Sequence, residues 1–211
     1  MASLKTRYTD GARRGFFKIG VVLARLRLTA DMLTYFGLAL HVVAVPLILS
    51  AHFVWAALIF AVAAICDALD GAVARAGVGP TKAGAFLDST TDRMSELLVF
   101  GALAVYMGQH GRWWESAAVL VAMGTAQLVS YTRARAEALG VECKVGLMSR
   151  PERIVVLGLG LLLSGWHVGS VSLLTVAVYL LAVLTSLTVL QRMVHVLRKL
   201  RAAGDGPAPA A

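Results

Sequence analysis

The chain has 211 residues, of which 58% are hydrophobic and only 15% are charged, and its formal net charge is +8. A soluble domain of this length normally carries more charge, so the composition argues against a soluble globular protein. In so apolar a chain the basic residues are better explained as flanks that set membrane topology and contact anionic lipid, and we expect no nucleic-acid partner. Apolar runs of about 18 or more residues recur and predict an all-α integral membrane protein.

The first segment, residues 1–30, is basic and amphipathic. Its apolar and basic side chains alternate at near-helical spacing, which predicts an N-terminal helix lying in the membrane interface. An ordinary cytoplasmic leader is the alternative. A six-helix catalytic domain is predicted over 31–201, and a small, Pro-containing tail over 202–211 is predicted to be disordered.

The apolar runs predict six transmembrane helices. In chain order they span residues 31–50, 54–74, 82–106, 116–138, 151–166 and 171–194. Every Lys and Arg except Arg112 then falls on the side of the two termini, and this bias marks the cytoplasmic face. Trp113 and Trp114 are placed like interfacial aromatics on the other side. We therefore expect a multi-pass protein of the cytoplasmic membrane.

Four aspartates lie in two pairs at the cytoplasmic ends of the second and third predicted helices. Asp67 and Asp70 are three residues apart, and Asp88 and Asp92 are four apart, so each pair shares one helix face. The Gly- and Pro-containing segment 77–80 predicts the turn that brings the pairs together. Clustered carboxylates need cations, and all-oxygen ligands favour Mg²⁺ or Mn²⁺ over zinc. The sequence therefore predicts a site for two divalent ions facing the cytoplasm.

Such a site suits enzymes that cut phosphate linkages by in-line displacement between two metal ions. One carboxylate can then take a proton from an incoming hydroxyl. An ion transporter or channel is the competing class, because intramembrane carboxylates also coordinate ions in pumps. Against it, the acids cluster at one face with no polar track across the membrane. A purely structural scaffold leaves the four aspartates without a reason.

The aspartates belong to a longer pattern of eight residues: Asp67, Asp70, Gly71, Ala74, Arg75, Gly84, Asp88 and Asp92. At every fixed position and spacing this pattern resembles the complete signature of the CDP-alcohol phosphotransferases. Members of that family displace CMP from a CDP-linked lipid or alcohol with a second alcohol. The resemblance implies that all four aspartates bind metal, and that Asp92 is also the candidate general base.

The resemblance also implies a binding site for the CDP-linked lipid. Its residues would be Asp31, Thr34, Gly71, Ala74, Arg75 and Gly84, with Gly84 leaving room beside the cytidine diphosphate. Family members often carry Thr-Pro-Asn or Thr-Pro-Asp before the first crossing, where this chain has Thr29-Ala-Asp31. The absent proline makes the local backbone there harder to predict.

Arginines near the cytoplasmic ends of later helices point to a phosphorylated acceptor, because Arg binds phosphate bidentately. The stretches 130–137 and 150–153 resemble the phosphatidylinositol phosphate synthases of actinobacteria, in which a basic pocket holds inositol 1-phosphate. The matching residues are Arg133, Arg153 and Arg192. The positive-inside rule alone is the plainer explanation of these charges.

The resemblance thus implies transfer of a phosphatidyl group from CDP-diacylglycerol to inositol 1-phosphate, with release of CMP and formation of phosphatidylinositol phosphate. Glycerol 3-phosphate is the alternative acceptor, as in a phosphatidylglycerophosphate synthase. An archaetidylinositol phosphate synthase, with ether-linked lipid tails, is a further alternative. Members of the family are homodimers, so a homodimer is implied here.

Overall fold

The computed structural model describes residues 18–77 and 79–204. Over this part of the chain the architecture is all-α, as predicted, apart from one short hairpin. The elements are α1 (18–25), α2 (Ala30–Leu49), α3 (Phe53–Ala76), α4 (Lys82–Gln109), α5 (Trp113–Ala138), α6 (Arg150–Leu162), β1 (His167–Val168), β2 (Val171–Ser172) and α7 (Leu173–Ala202).

The chain divides into two compact units. One unit comprises Met1–Pro46 and Leu58–Leu98, and it contains the predicted carboxylate cluster. The other comprises Leu47–Ala57 and Val99–Ala211, and it contains the arginines predicted to bind the acceptor. The two sets of predicted site residues are therefore built on different helices, α2–α4 for the first and α5–α7 for the second.

In the first unit, two threonines cap the starts of α2 and α4. The hydroxyl of Thr29 accepts a hydrogen bond from the backbone N–H of Met32 at 3.2 Å, and Thr81 accepts one from Gly84 at 3.0 Å. Each is an N-cap that satisfies a backbone donor of the first helical turn. Ala30 is thus the first residue of α2, a position where proline is favoured but not needed. The helix begins at the expected place without it.

Helix α1 packs directly against α3 through a glycine. A Cβ atom built on Gly20 would lie 2.8 Å from the carbonyl carbon of Ala72, so no side chain fits at residue 20 without a shift of backbone. Ala72 is fully buried, and it stands within the signature segment of α3. Residues 1–17 lie outside the described part of the chain. The interfacial placement of the N-terminal helix therefore stays a prediction.

In the second unit, α5 and α7 share the most extensive interface, and α6 packs on α7. The hydroxyls of Thr125 and Thr185 are 2.5 Å apart across the α5–α7 interface. At one end of these two helices, Arg112 donates to Glu115 at 3.1 Å and to the hydroxyl of Thr175. This unit is thus held by apolar packing and by partly buried polar contacts between helices.

The helix boundaries agree with the predicted ones to within a few residues, except at the end of α6 and at the end of α7. Helix α6 has 13 residues and ends at Leu162, whereas the sequence predicted a helix to residue 166. The chain then forms a two-stranded antiparallel hairpin, β1–β2, with Gly169 in the left-handed region at φ +63°. Helix α7 continues to Ala202, past the predicted end at residue 194.

Three helices of the described chain are long and apolar enough to cross a membrane. They are α2, α3 and α7. Helices α4 and α5 are also long, with 28 and 26 residues, but each carries several charged side chains among its apolar ones. Six crossings therefore stay a prediction, as does disorder of the tail, of which residues 205–211 lie outside the described range.

Candidate functional site

Three of the four predicted aspartates converge. One carboxylate oxygen from each of Asp67, Asp70 and Asp88 lies within 4.8 Å of the others. Asp70 is buried, and the other two are half-buried. The first two carboxylates share a face of α3, and α4 returns after the turn to supply the third. Hard oxygen donors gathered in this way can hold a divalent cation.

The fourth aspartate, Asp92, is not part of this group of three. It lies one helical turn after Asp88 on α4 and is half-buried. The geometry thus distinguishes it from the other three carboxylates. Its predicted role as a metal ligand and as the general base stays a prediction.

Thr34 lies against the carboxylate group. Its hydroxyl is 2.9 Å from the Oδ2 atom of Asp70 and 3.1 Å from the carbonyl oxygen of Ala30, and the side chain is buried. A hydroxyl that donates to a carboxylate fixes the orientation of that carboxylate. The structure thus gives Thr34 a contact with a candidate metal ligand, and its predicted contact with the nucleotide stays a prediction.

Asp31 and Gly84 come together at the starts of α2 and α4. A Cβ atom on Gly84 would lie 3.7 Å from the Oδ1 atom of Asp31 and 3.1 Å from the Oγ1 atom of the capping Thr81. A side chain at residue 84 would therefore crowd the helix cap. Asp31 is exposed at this point.

Arg75 folds back over Gly71 on the surface of α3. A Cβ atom on Gly71 would lie 3.3 Å from the Nη1 atom of Arg75, so the glycine gives the guanidinium room to lie along the helix. Arg75 is exposed, and Ala74 beside it is half-buried. An exposed guanidinium next to small residues can receive a phosphate that approaches the backbone closely.

The arginines of the second unit differ sharply in burial. Arg153 is 2% exposed and Arg192 is 4% exposed, whereas the Arg133 side chain is 52% exposed and pairs with Glu137 at 2.9 Å. Arg133 and Arg153 are both charged neighbours of Arg192. The positive-inside rule accounts for basic residues at the membrane surface, but it does not explain why the guanidinium groups of Arg153 and Arg192 are buried next to each other. Two guanidinium groups with so little exposed surface need a reason beyond topology.

The loop 140–149 is the part of this site that the sequence reasoning missed. Its backbone carbonyls accept hydrogen bonds from both buried arginines, and its exposed end carries an ion pair between Lys144 and Glu142. The hydrogen bond and charge of Lys144 hold the pKa of Glu142 below its usual range. The signals for this loop were a glycine, Gly146, between apolar residues, and a threonine, Thr188, in the middle of an apolar helix.

Comparison with known proteins places this chain beside a group of lipid synthases. The profile of the CDP-alcohol phosphatidyltransferase family matches residues 27–196. The chain is 38% identical to the phosphatidylinositol phosphate synthase of Mycobacteroides abscessus over 201 residues, or 89% of this chain and 87% of that one. It is 36% identical to the archaetidylinositol phosphate synthase of Methanothermobacter thermautotrophicus, over 87% of this chain and 90% of that one.

The fold is similar to that of solved structures as well. The crystal structure of Mycobacterium tuberculosis phosphatidylinositol phosphate synthase with CDP-DAG bound superposes with a TM-score of 0.78 at 34% identity, covering 87% of this chain and 94% of that one. A structure of the same enzyme in complex with manganese and citrate also gives a TM-score of 0.78, with 86% and 88% covered. The likeness therefore extends over most of the chain in both sequence and fold.

Proposed function

Because this chain belongs to the CDP-alcohol phosphatidyltransferase family, we propose that it transfers the phosphatidyl group of CDP-diacylglycerol to the hydroxyl of inositol 1-phosphate. The products are CMP and phosphatidylinositol phosphate. One observation carries the reaction class: the complete signature folds so that oxygens of Asp67, Asp70 and Asp88 lie within 4.8 Å of one another. The choice of acceptor is supported by the buried Arg153 and Arg192 and by the activities for which the relatives are named.

Asp67, Asp70 and Asp88 are the proposed ligands of Mg²⁺ or Mn²⁺, and two ions are proposed. The oxygen-only donor set and the manganese-bound relative support this assignment. Divalent cations bound there supply charge neutralisation for the diphosphate of the donor. The hydroxyl of Thr34 keeps the Asp70 carboxylate oriented toward its partners.

Asp92 is the proposed base of the reaction and a further metal ligand. The acceptor hydroxyl gives its proton to a carboxylate oxygen of Asp92 while the hydroxyl oxygen forms a bond to the lipid-linked phosphorus. The bond between that phosphorus and the oxygen bridging to CMP breaks, and CMP leaves with the bridging oxygen. The position of Asp92 outside the group of three supports a role in proton transfer.

The donor is proposed to bind along the starts of α2 and α4 and the end of α3. Arg75 takes a diphosphate oxygen, and Gly71 and Ala74 allow the donor to approach the α3 backbone. Asp31 contacts the nucleotide beside Gly84. In the second unit, Arg133, Arg153 and Arg192 are proposed to bind the phosphate of the acceptor bidentately.

The experiment is CMP release by the purified protein with CDP-diacylglycerol and Mg²⁺. It compares inositol 1-phosphate, glycerol 3-phosphate, free inositol and serine as acceptors. Release with inositol 1-phosphate is the expected result. Release with glycerol 3-phosphate instead would keep the reaction class and replace the acceptor. An ether-linked CDP-archaeol donor, run in parallel, tests which lipid tails are accepted.

The variant Asp88→Asn tests the assignment of the metal ligands. It keeps the side-chain volume but removes a charge from the carboxylate group, so CMP release should fall roughly 100-fold or more with every acceptor. A variant with near-normal turnover would refute the metal assignment.

The membrane arrangement is proposed to comprise six crossings of the cytoplasmic membrane, with the site on the cytoplasmic side and an interfacial helix at the N-terminus. The three apolar helices and the exposed Trp113 and Trp114 support a membrane-spanning protein.

A homodimer is also proposed. An exposed apolar stripe on α7, formed by Val183, Leu187, Leu190 and Val194, supports lipid or subunit contact along that helix. The mass of the protein in detergent, measured by light scattering, tests the dimer.

A further inference from the structure

Met148, in the loop between α5 and α6, is held from two sides. Its backbone N–H donates to the hydroxyl of Thr188 on α7 at 3.0 Å. Its carbonyl accepts a hydrogen bond from Nη1 of Arg153 on α6 at 3.3 Å. Met148, Thr188 and Arg153 are all almost completely buried. The peptide groups on either side of Met148 therefore link a neutral hydroxyl to an arginine proposed for the acceptor site.

The other buried arginine is tied to the same loop. Nε of Arg192 donates to the carbonyl oxygen of Val145 at 2.9 Å, and its Nη1 donates to the carbonyl oxygen of Val129 on α5. A guanidinium group has five N–H donors in a fixed plane, so two carbonyl acceptors determine the direction of the rest. Each arginine thus has one N–H held by a carbonyl of the loop, and α5 supplies the second acceptor of Arg192.

Gly146 brings the loop down onto Thr188 with no space between them. A Cβ atom on Gly146 would lie 2.5 Å from the Cγ2 atom of Thr188, and Gly146 has φ +128°, a conformation that favours glycine. Thr188 therefore makes two separate contacts with the loop: a hydrogen bond to Met148 and direct packing against Gly146. A change at either residue moves the loop relative to α7.

We infer that Thr188 and Gly146 are positioning residues of the acceptor site. They fix the position of the loop relative to α7, so that the carbonyl groups of the loop help to orient Arg153 and Arg192 toward the phosphate of the acceptor. The inference rests on the proposed function, because it assumes that these arginines bind that phosphate. Fixed guanidinium groups bind a phosphate with less loss of side-chain freedom, so the contribution falls on acceptor affinity rather than on the transfer step.

The test is steady-state CMP release by full-length Thr188→Val, with both substrates varied. Valine keeps the shape of threonine but leaves the buried N–H of Met148 without its acceptor. The KM for inositol 1-phosphate should rise roughly tenfold, while the KM for CDP-diacylglycerol and kcat stay within about twofold of the original values. Thr188→Ser, which keeps the hydroxyl, should restore most of the acceptor affinity.

Thr185→Val is the matched control. Thr185 is also fully buried on α7, one turn earlier, but its hydroxyl faces Thr125 and the carbonyl oxygen of Leu181 rather than the loop. The same chemical change there should leave the KM for inositol 1-phosphate unchanged. If Thr185→Val raises it as much as Thr188→Val does, the effect is general weakening of the helix and the inference is overturned.

Gly146→Ala approaches the same contact from the loop and guards against a Thr188 variant that does not fold. It should also raise the KM for inositol 1-phosphate selectively. An unchanged acceptor KM in both variants, or an equal rise in the KM of both substrates, would overturn the inference. Failure of the proposed function looks different, because the unaltered protein would then release no CMP with inositol 1-phosphate.

Discussion

At the scale of single residues, one hydrogen bond orients a carboxylate of the candidate metal site. Thr34 donates to Asp70, which is the most deeply buried member of the group of three. A bond from outside the ligand set fixes the orientation of a ligand and raises affinity for the ion. At this scale, Thr34 contacts a carboxylate of the candidate metal site, and its predicted contact with the nucleotide stays a prediction.

Thr34→Val provides the first prediction. Loss of the hydroxyl should lower the affinity of the site for Mn²⁺ roughly tenfold or more, measured directly by titration of the purified protein. CMP release should recover at high metal concentration, and Thr34→Ser should behave like the original protein. A raised KM for CDP-diacylglycerol that excess metal does not correct would instead place Thr34 at the nucleotide, as the sequence suggested.

Arg153 and Arg133 provide a second prediction, which follows from their difference in burial. Arg153→Ala should raise the KM for inositol 1-phosphate roughly 100-fold, because a buried guanidinium binds a phosphate without competition from water. Arg133→Ala should have a smaller effect, roughly tenfold or less, since its side chain is exposed and screened. The KM for CDP-diacylglycerol, measured in the same assays, should stay constant. An equal loss for both substrates would remove Arg153 from the acceptor site.

The sequence predicted the carboxylate site better than the arginine site, for a physical reason. Asp67, Asp70 and Asp88 lie on two helices joined by a short turn, so helical spacing alone nearly determines their separation. Arg192 donates to carbonyl groups of the loop and of α5 that are distant from it in sequence. Arg153 donates to a carbonyl in the irregular loop just before its own helix. No periodicity encodes such contacts, and only the folded backbone reveals them.

At the scale of helices, apolar runs located most boundaries but not the region after α6. Hydropathy measures the average character of a segment, and the predicted helix to residue 166 includes four residues, 163–166, that lie beyond the end of α6. The antiparallel pairing of His167 with Ser172 and of Val168 with Val171 is a local hairpin that an averaged hydropathy does not record. The N-caps, in contrast, are local, and Thr29 and Thr81 are visible in the sequence as helix starts.

The third prediction concerns the packing of two helices at Gly20. Gly20→Ala should lower the free energy of unfolding by about 1–3 kcal/mol, because the new methyl group meets the backbone of Ala72. The measurement is the thermal unfolding of the protein in detergent.

The control for Gly20→Ala is Gly101→Ala in α4, where a Cβ atom meets nothing within 4 Å. This change should leave the protein unaltered or slightly more stable, since alanine favours the helix. If both variants have the same melting temperature, the close packing of α1 on α3 is refuted.

At the scale of the whole molecule, more large apolar side chains are exposed than is usual on the surface of a water-soluble protein. All four tryptophans, Trp55, Trp113, Trp114 and Trp166, are more than 60% exposed. Each stands at or beside the beginning of a helix or in the connection before α7. The six-crossing arrangement predicts that these positions lie at the membrane–water interface on the non-cytoplasmic side. Tryptophan is enriched at such boundaries because its ring is apolar and its N–H is polar.

The fourth prediction tests that arrangement with introduced cysteines. His167→Cys should react in intact cells with a maleimide that does not cross membranes, because six crossings place the hairpin outside the cell. Lys144→Cys should react only after the cells are permeabilised. Both positions are exposed, and the two native cysteines are buried and should contribute little background. Labelling of both positions in intact cells would refute six crossings.

The bond between Thr34 and Asp70 also bears on how the chain enters the membrane during synthesis. A carboxylate within an apolar helix opposes insertion of that helix. Helix α2 leaves the ribosome before α3, so the hydroxyl that Asp70 needs is already in place when α3 arrives. We therefore expect α2 and α3 to insert as a pair, and α3 by itself to be a poor substrate for the insertion machinery.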